Sequence, residues 1–589
     1  MLAVPLAAFV LWSAASTFWA SNVFPAAHYA LSWTTYLLFF HAMRRAAAHA
    51  RMLRLSLALL ALVVIIIGVA NVVGYYGSPD SFISQNGLGE PLAVSIPLFA
   101  ALALRIRNRR AALLCGTAAT VAWLSMLEIA ERAPFFGVCA GFAVLGVSML
   151  ARRRFRPRGI LRAMFLASAF AACALLQTVP SPFVESRQEP VFVRLKKTSS
   201  TELNTRARML FWGAAIEMWR ARPLTGVGAA GYDGAYPEAR ASFVAKHPDS
   251  PLVEINERYL SSGAHNEYLQ MLGELGAVGL ALFVAFCCGL VWAAWRALRV
   301  SSSPLAPGAV AALAVFAVSS GASSISFRWF GSGLMFFFAA ALVARLAAGG
   351  GRVREESAAS VGFNPSHASQ RYALGLCLSL LLLAAMCVQA TNVLLLAGAQ
   401  ATADMGRADK LFRSALSLNP LDAATHYNYG VWLAARGRDG EAVPHMRYAL
   451  SRGFHSSTCY EYLAGAETNA GDAAATERTL AEGVRVYPRS VLMRAHHSIA
   501  LKSLGRADEA GMEMATALLL DSRATRGWQQ LIENDIDAAI AAAKRDSSIA
   551  MPGELEPEEA VFAVLLENER RFPESAASGW RARMFSKVQ

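Results

Sequence analysis

The sequence predicts an all-α protein, a polytopic bundle of about eleven membrane helices followed by a C-terminal domain of helical repeats. Three observations predict it. Of 589 residues, 55% are hydrophobic and only 16% charged, against roughly a quarter charged in an average soluble domain; mean hydropathy is +0.36. The apolar residues are gathered into runs near bilayer length, separated by short arginine-bearing loops. After Leu396 that pattern stops and a 34-residue periodicity begins. Purely soluble, disordered and collagen-like chains are excluded.

The runs follow in order. Met1–Ala20 is apolar from its second residue and lacks a basic leader, so it reads as a first span rather than a cleaved signal peptide. Further runs sit near Tyr29–Met43, Leu55–Tyr75, Pro91–Leu104, Ala111–Ala130, Pro134–Ala151 and Ile160–Val179. After a long polar gap come Leu269–Trp295, Leu305–Gly321, Trp329–Leu346 and Tyr372–Leu396. Tyr29–Met43 and Pro91–Leu104 are short for the roughly 20 residues a crossing needs.

Charge gives the topology. Arg44, Arg45, Arg51 and Arg54 follow the second run, whereas the next loop, residues 76–90, has no Lys or Arg. Arg105, Arg107, Arg109 and Arg110, then residues 152–158, then Arg296 and Arg299, then Arg345, Arg352, Arg354 and Arg371 continue the alternation. The positive-inside rule makes these loops cytoplasmic. The N-terminus is then inside, and residues 180–265 and everything after Leu396 lie outside. The net charge of +13 thereby records topology rather than a nucleic-acid partner. Residues 180–264 are nearly balanced, with 11 Lys and Arg against 9 Asp and Glu.

The tail, from about Gly398, is polar and Ala-rich. Gly437, Gly471 and Gly505 recur at an interval of 34 residues, as do Phe412, Met446, Leu480 and Met514, and the small residues Ala415, Ala449, Gly483 and Ala517. This spacing resembles tetratricopeptide repeats, in which paired helices approach closely at small residues. Residues 526–589 keep a helical pattern but drift from the period, as a terminal cap would. Four domains result: N-terminal spans 1–179, a large loop 180–268, C-terminal spans 269–397 and the repeat tail 398–589. Seven of the eight cysteines lie in apolar stretches without metal-ligand spacing, so they read as small buried hydrophobes.

Chemistry concentrates where the large loop re-enters the membrane. The stretch begins Ser262-Gly263-Ala264-His265-Asn266-Glu267-Tyr268-Leu269-Gln270 and continues through Glu274-Leu275-Gly276 to Gly279. An imidazole at a water–lipid boundary can meet lipid-linked substrates. Upstream lie Arg206, Arg208 and Trp212, then Pro223-Leu224-Thr225-Gly226-Val227-Gly228; Glu131-Arg132 sits between the fifth and sixth spans. The glycines from Gly226 are not a nucleotide fingerprint, since a helical pattern rather than a strand precedes them. His247, beside Lys246, Pro248 and Asp249, reads as part of a solvated turn.

At these residues the chain resembles the O-antigen ligase and polymerase superfamily, which includes bacterial O-linked oligosaccharyltransferases that glycosylate pilins. The H-N-x-Y-L-Q-x-x-x-E-x-G-x-x-G stretch at His265–Gly279 carries the resemblance most specifically. Next come R-x-x-x-W at Arg208–Trp212 and P-L-x-G-V-G at Pro223–Gly228. The Arg132 turn departs from the pattern, with Glu131 where the family usually has serine. The resemblance spans about Leu113 to Leu346; a repeat-like tail is most similar to the protein-glycosylating branch.

The resemblance implies a glycosyltransferase taking its glycan from an undecaprenyl-pyrophosphate-linked donor, with no cofactor. Arg132 and Arg208 would pair with the leaving pyrophosphate, and His265 would take the proton of the acceptor hydroxyl. Arg206 is an alternative to Arg208 at slightly different register, and Asn266, Tyr268 and Glu274 are candidate substrate-side residues. No D-x-D-like acidic cluster lies in the outer segments, which predicts metal-independent transfer. The favoured acceptor is a pilin-like protein Ser/Thr. Polymerisation on a lipid-linked glycan and ligation to a lipid A core need the same leaving-group chemistry. A membrane-anchored repeat scaffold without activity is the rival of another class.

Overall fold

The computed structural model describes residues 2–77, 85–151, 157–177, 191–196, 202–255, 257, 260–323, 326–349, 384, 387–388, 390–400, 402, 404–534, 536–551 and 555. Every element among them is helical. The expected tail end beyond residue 555, the basic residues 152–156, the loop parts 178–190 and 197–201, and most of the run Tyr372–Leu396 lie outside the described residues.

The first seven helices are α1 (Ala3–Ala15), α2 (Val23–Ala46), α3 (Ala50–Gly77), α4 (Gln85–Arg105), α5 (Arg109–Ile129), α6 (Arg132–Ala151) and α7 (Pro157–Leu176). Both runs that looked short extend in the structure. Helix α2 adds flanking residues less apolar than a span usually shows, and its Ser32, Thr34 and Thr35 hydroxyls donate one turn back to the carbonyls of His28, Ala30 and Leu31. Helix α4 contains Pro91 and Pro97 and is buried on nearly every face, packed against α5, α6 and α12 (Leu305–Ser319).

Among the described residues seven helices are long and apolar enough to cross a membrane: α3, α4, α5, α6, α7, α11 (Glu267–Val300) and α13 (Phe330–Ala347). Helices α1 and α12 are apolar but shorter. The protein is a multi-pass membrane protein, and the count of about eleven crossings stays an expectation. Helix α11 breaks at Gly276 (φ 67°, ψ −173°) into a polar-faced first part and an apolar second part. The second part is about 36 Å long at 1.5 Å per residue, enough to cross hydrocarbon alone. Near its end Arg296 and Arg299 lie over the rings of Trp292 and Trp295, at 5.4 and 4.3 Å, the pairing expected at a membrane interface.

Aromatic packing joins α2, α11 and α13. Trp33, fully buried, meets Phe9 at 4.4 Å and Phe327 at 4.7 Å; Tyr36 stacks on Phe337 and donates its hydroxyl to the Phe327 carbonyl at 3.0 Å. Two contacts sort the helix ends. Arg162 at the start of α7 donates to the carbonyls of Ala103 and Ile106 at the end of α4, so those two helix ends share a side. The α5–α6 turn instead meets the large loop through Arg132 and Arg194.

The loop builds a helical layer of α8 (Val191–Lys196), α9 (Leu203–Ala221) and α10 (Tyr232–Lys246). Its own core gathers Leu210, Phe211, Tyr232 and Tyr236. The tail forms helical pairs from Met405–Leu418 to Ile536–Arg545. Asp404, Asp422, Ser456, Asp472, Ser490 and Asp521 cap six of these helices through side-chain acceptors. Phe412, Met446 and Leu480 are buried, as are Ala415, Ala449 and Ala517. The seven described cysteines are free.

A candidate active site where the loop layer meets the bundle

Three chain segments converge here. The first is the turn between α5 and α6. Ala130 takes a left-handed conformation (φ 56°) and closes α5 through its N–H to the Met126 carbonyl, which puts Glu131 and Arg132 at the mouth of the bundle. Arg132 is held by Glu202, just before α9, with both guanidinium nitrogens on the carboxylate at 2.7 and 3.0 Å. The Arg132 guanidinium draws Glu202 below its ordinary carboxylate pKa. Arg194 of α8 donates to the Ala130 carbonyl at 3.0 Å.

The second segment is α9. Arg206 and Arg208 are two residues apart, so they leave the helix about 200° apart. Arg206 is turned to the neighbouring loop, where it donates to the Pro251 carbonyl. Arg208 faces the cationic side: its field is set by Arg132, Glu202, Glu131 and Arg194, and burial, then repulsion from Arg132, lowers its pKa. Its guanidinium is partly buried and makes no hydrogen bond or ion pair among the described residues. Phe211, one turn on, shares its face.

The third segment is the re-entry. His265 stacks on Phe211 with centroids 5.7 Å apart and planes at 23°. Its ring nitrogens have no hydrogen-bond partner among the described residues. Burial, then the Arg208 charge, lowers its pKa from 6.5 to about 4, so the imidazole is neutral at neutral pH. Its backbone is left-handed, φ 51°, a conformation that costs a side-chain-bearing residue on the order of 1 kcal/mol and tends to mark functional positions.

The two glycine-bearing motifs interlock behind the histidine. Val227 N–H donates to the Gly273 carbonyl at 3.0 Å, Gly228 N–H to that of Glu274 at 2.9 Å and Ala277 N–H to that of Pro223 at 2.8 Å. Gly226 and Gly276 both have positive φ, and a Cβ on either would collide with the opposing backbone, so only glycine fits the crossing. Three further motif residues sit in this framework. Asn266 caps α11, its Oδ1 accepting from the N–H groups of Tyr268 and Leu269 at 3.1 Å each. Tyr268 donates its hydroxyl to the Ala317 carbonyl at 2.8 Å. Glu274, fully buried, accepts from the N–H groups of Ala230 and Tyr232, from Gln270 and from Arg328, the last at 2.8 Å.

His265, Arg208 and Arg132 therefore meet at one end of the bundle. Glu202, Arg194 and Arg328 belong to the site with no sequence motif to mark them, whereas Gln270 stands in the H-N-x-Y-L-Q stretch without a role that spacing assigns. Glu131, the departure from the family's serine, is a mostly buried carboxyl in the field of Arg194 and Arg208, which burial and then Glu90 push up to about 8. Arg194 had a faint signal as a cation inside the apolar stretch Val191–Lys196. Among the described residues no cluster of three His, Cys, Asp or Glu is arranged to hold a metal.

The architecture is that of a multi-pass membrane protein with a cationic, histidine-bearing site in its loop layer. Residues 117–284 match the family model described as O-antigen ligase, Wzy_C, and so carry an O-antigen ligase family domain, a domain of membrane glycan transfer from lipid-linked donors. The matched segment runs from α5 into α11 and contains Arg132, Arg208 and His265. No curated protein matches the chain.

Proposed function

We propose that the protein transfers a glycan from an undecaprenyl-pyrophosphate-linked donor to a Ser or Thr hydroxyl of an acceptor protein on the periplasmic face. One observation carries the reading: among the described residues nothing bonds the partly buried Arg208, and it lies beside an imidazole whose two nitrogens have no hydrogen-bond partner there. Burial weighs against the charged form of Arg208 even with Glu202 and Glu131 in its field, and a diphosphate is the anion a lipid-linked glycan brings to such a cation.

In the reaction the acceptor oxygen attacks the anomeric carbon. The bond from that carbon to the phosphate oxygen breaks, and its electron pair leaves on the diphosphate. Arg208 meets that developing charge, and Arg132 joins it by exchanging the Glu202 carboxylate for a phosphate. The hydroxyl proton passes to His265. A pKa of about 4 makes a weak base, but the diphosphate offsets the Arg208 field that helps to lower it, so the donor itself primes the histidine. Asn266, Tyr268 and Glu274 serve by holding the start of α11, and Arg206 by holding the Pro251 segment. No metal enters the scheme.

The tail supports a protein acceptor. It is fixed to the loop layer: Arg485 pairs with Glu238 at 2.6 Å, the Arg489 N–H donates to Glu257 at 3.0 Å and its guanidinium to the Val253 carbonyl at 2.6 Å. A rigid helical arm against α10, which packs on α9, suits a polypeptide brought to His265. The test is transfer by purified protein from one undecaprenyl-linked glycan, offered a pilin-like protein, a lipid A core or no added acceptor. Labelled protein is expected. Labelled core, or a lengthened lipid-linked glycan, replaces the acceptor assignment.

A further inference from the structure

The left-handed backbone at His265 needs something to impose it. The preceding N–H, that of Ala264, donates to Gln270 Oε1 at 3.0 Å. The other end of the same amide, Gln270 Nε2, donates to Glu274 Oε1 at 3.1 Å. Glu274 is pinned from the far side by Arg328 at 2.8 Å. Ala264, Gln270 and Glu274 are all fully buried, so no solvent competes for these bonds. The amide orientation is dictated by its neighbours: a backbone N–H can only donate, and an ionised carboxylate can only accept. Glutamine supplies one acceptor and one donor in that order. Leucine or methionine supplies neither, and an ionised glutamate would oppose Glu274 with like charge.

We propose that Gln270 is a positioning residue that acts through the Ala264 N–H to hold His265 stacked on Phe211 and turned to the Arg208 side. The catalytic consequence rests on the transfer reading above; the positioning itself does not. Two readouts separate them. The first is carbethoxylation of His265 by diethyl pyrocarbonate, followed by peptide mass spectrometry in folded protein. In Gln270→Met the rate is expected to rise about 5-fold as the ring leaves Phe211, since the acceptor that holds the Ala264 N–H is gone.

The second is transfer, where kcat falls about 10- to 100-fold while the donor KM changes less than about 3-fold, as misplacing a base does. Gln270→Glu covers the case in which Gln270→Met does not fold. A protonated carboxyl has the same donor–acceptor pair as the amide, so its activity relative to wild type recovers as pH falls from about 8 to about 6. Unchanged His265 labelling in folded Gln270→Met, or a Gln270→Glu ratio flat across that range, overturns the proposal. A labelling difference in a protein whose wild type transfers nothing upholds the positioning role and overturns the function reading.

Discussion

The arginines of the tail and Arg208 of the loop layer are held in opposite ways. In the tail Arg438 bonds Glu441 with two nitrogens at 2.8 Å and Asp409 with a third at 2.8 Å. Arg447 is paired with Glu467, Arg494 with Glu513, and Arg506 with Glu477 and Glu509. In the loop layer Arg208 is more buried than Arg438, yet no carboxylate bonds it among the described residues. Charges that serve folding are neutralised where they sit. Arg208, half-buried and with no carboxylate bonded to it among the described residues, lies beside a histidine of left-handed backbone, the arrangement the proposed reading expects of a place that receives an anion.

The largest effect that tests this contrast comes from the site itself. Arg208→Ala and His265→Ala should each lower transfer by about 100- to 1,000-fold or more, with inserted, folded protein, measured in a purified assay. If Arg208→Ala instead unfolds the protein while leaving per-molecule activity intact, the arginine belongs with the tail's. Next is tail docking. A Cβ on Gly234 would come within 2.5 Å of the Gly453 carbonyl oxygen. Gly234→Val should lower transfer to protein acceptor about 10-fold and leave donor binding unchanged, as read by isothermal titration with undecaprenyl diphosphate. Weakened donor binding would place this contact inside the donor site.

A smaller effect concerns Arg132, the candidate pyrophosphate ligand that a carboxylate holds. Glu202→Gln removes the charge holding Arg132, so donor affinity should rise about 2- to 5-fold; a fall would make the Arg132–Glu202 pair part of the bound state. Acid pH gives a further check. The folded-state pKa of His265 lies below its ordinary 6.5, at about 4. Its contribution to stability is therefore full above about 6.5 and is lost as pH falls toward about 4. His265→Gln should flatten that part of the melting-temperature curve, and an identical curve would contradict the burial assigned to the ring. The smallest effect is in the tail: Arg438→Ala should cost at most about 1 kcal/mol of stability by denaturant titration, with transfer unchanged.

Much of this was legible in the sequence, and the reasons are local. The apolar runs and alternating arginines sufficed for a membrane bundle with a polar tail. The recurring small residues marked buried positions such as Ala415, Ala449 and Ala517. Motif spacing located His265, Arg208 and Arg132. Helix extent was harder: α2 runs from Val23 to Ala46, past the apolar run at both ends through residues such as His28, Arg44 and Arg45, which backbone hydrogen bonding accommodates and hydropathy does not register. Partnership was not legible at all. Arg206 and Arg208 are equivalent in one dimension, and only the turn of α9 sends one to Pro251 and the other to the site. Glu202, Arg194 and Arg328 act across separations that no local pattern encodes, from 54 residues between Glu274 and Arg328 to 70 between Arg132 and Glu202.

The central claim is that the unpaired guanidinium of Arg208 waits for the donor's diphosphate. Undecaprenyl diphosphate binding should be measured by titration calorimetry on wild type, Arg208→Ala and the tail variant Arg438→Ala in the same lipid nanodiscs. The account predicts a loss of about 10-fold or more for Arg208→Ala, as for a removed charge-assisted bond, and wild-type affinity for Arg438→Ala. Equal affinity in wild type and Arg208→Ala would contradict it.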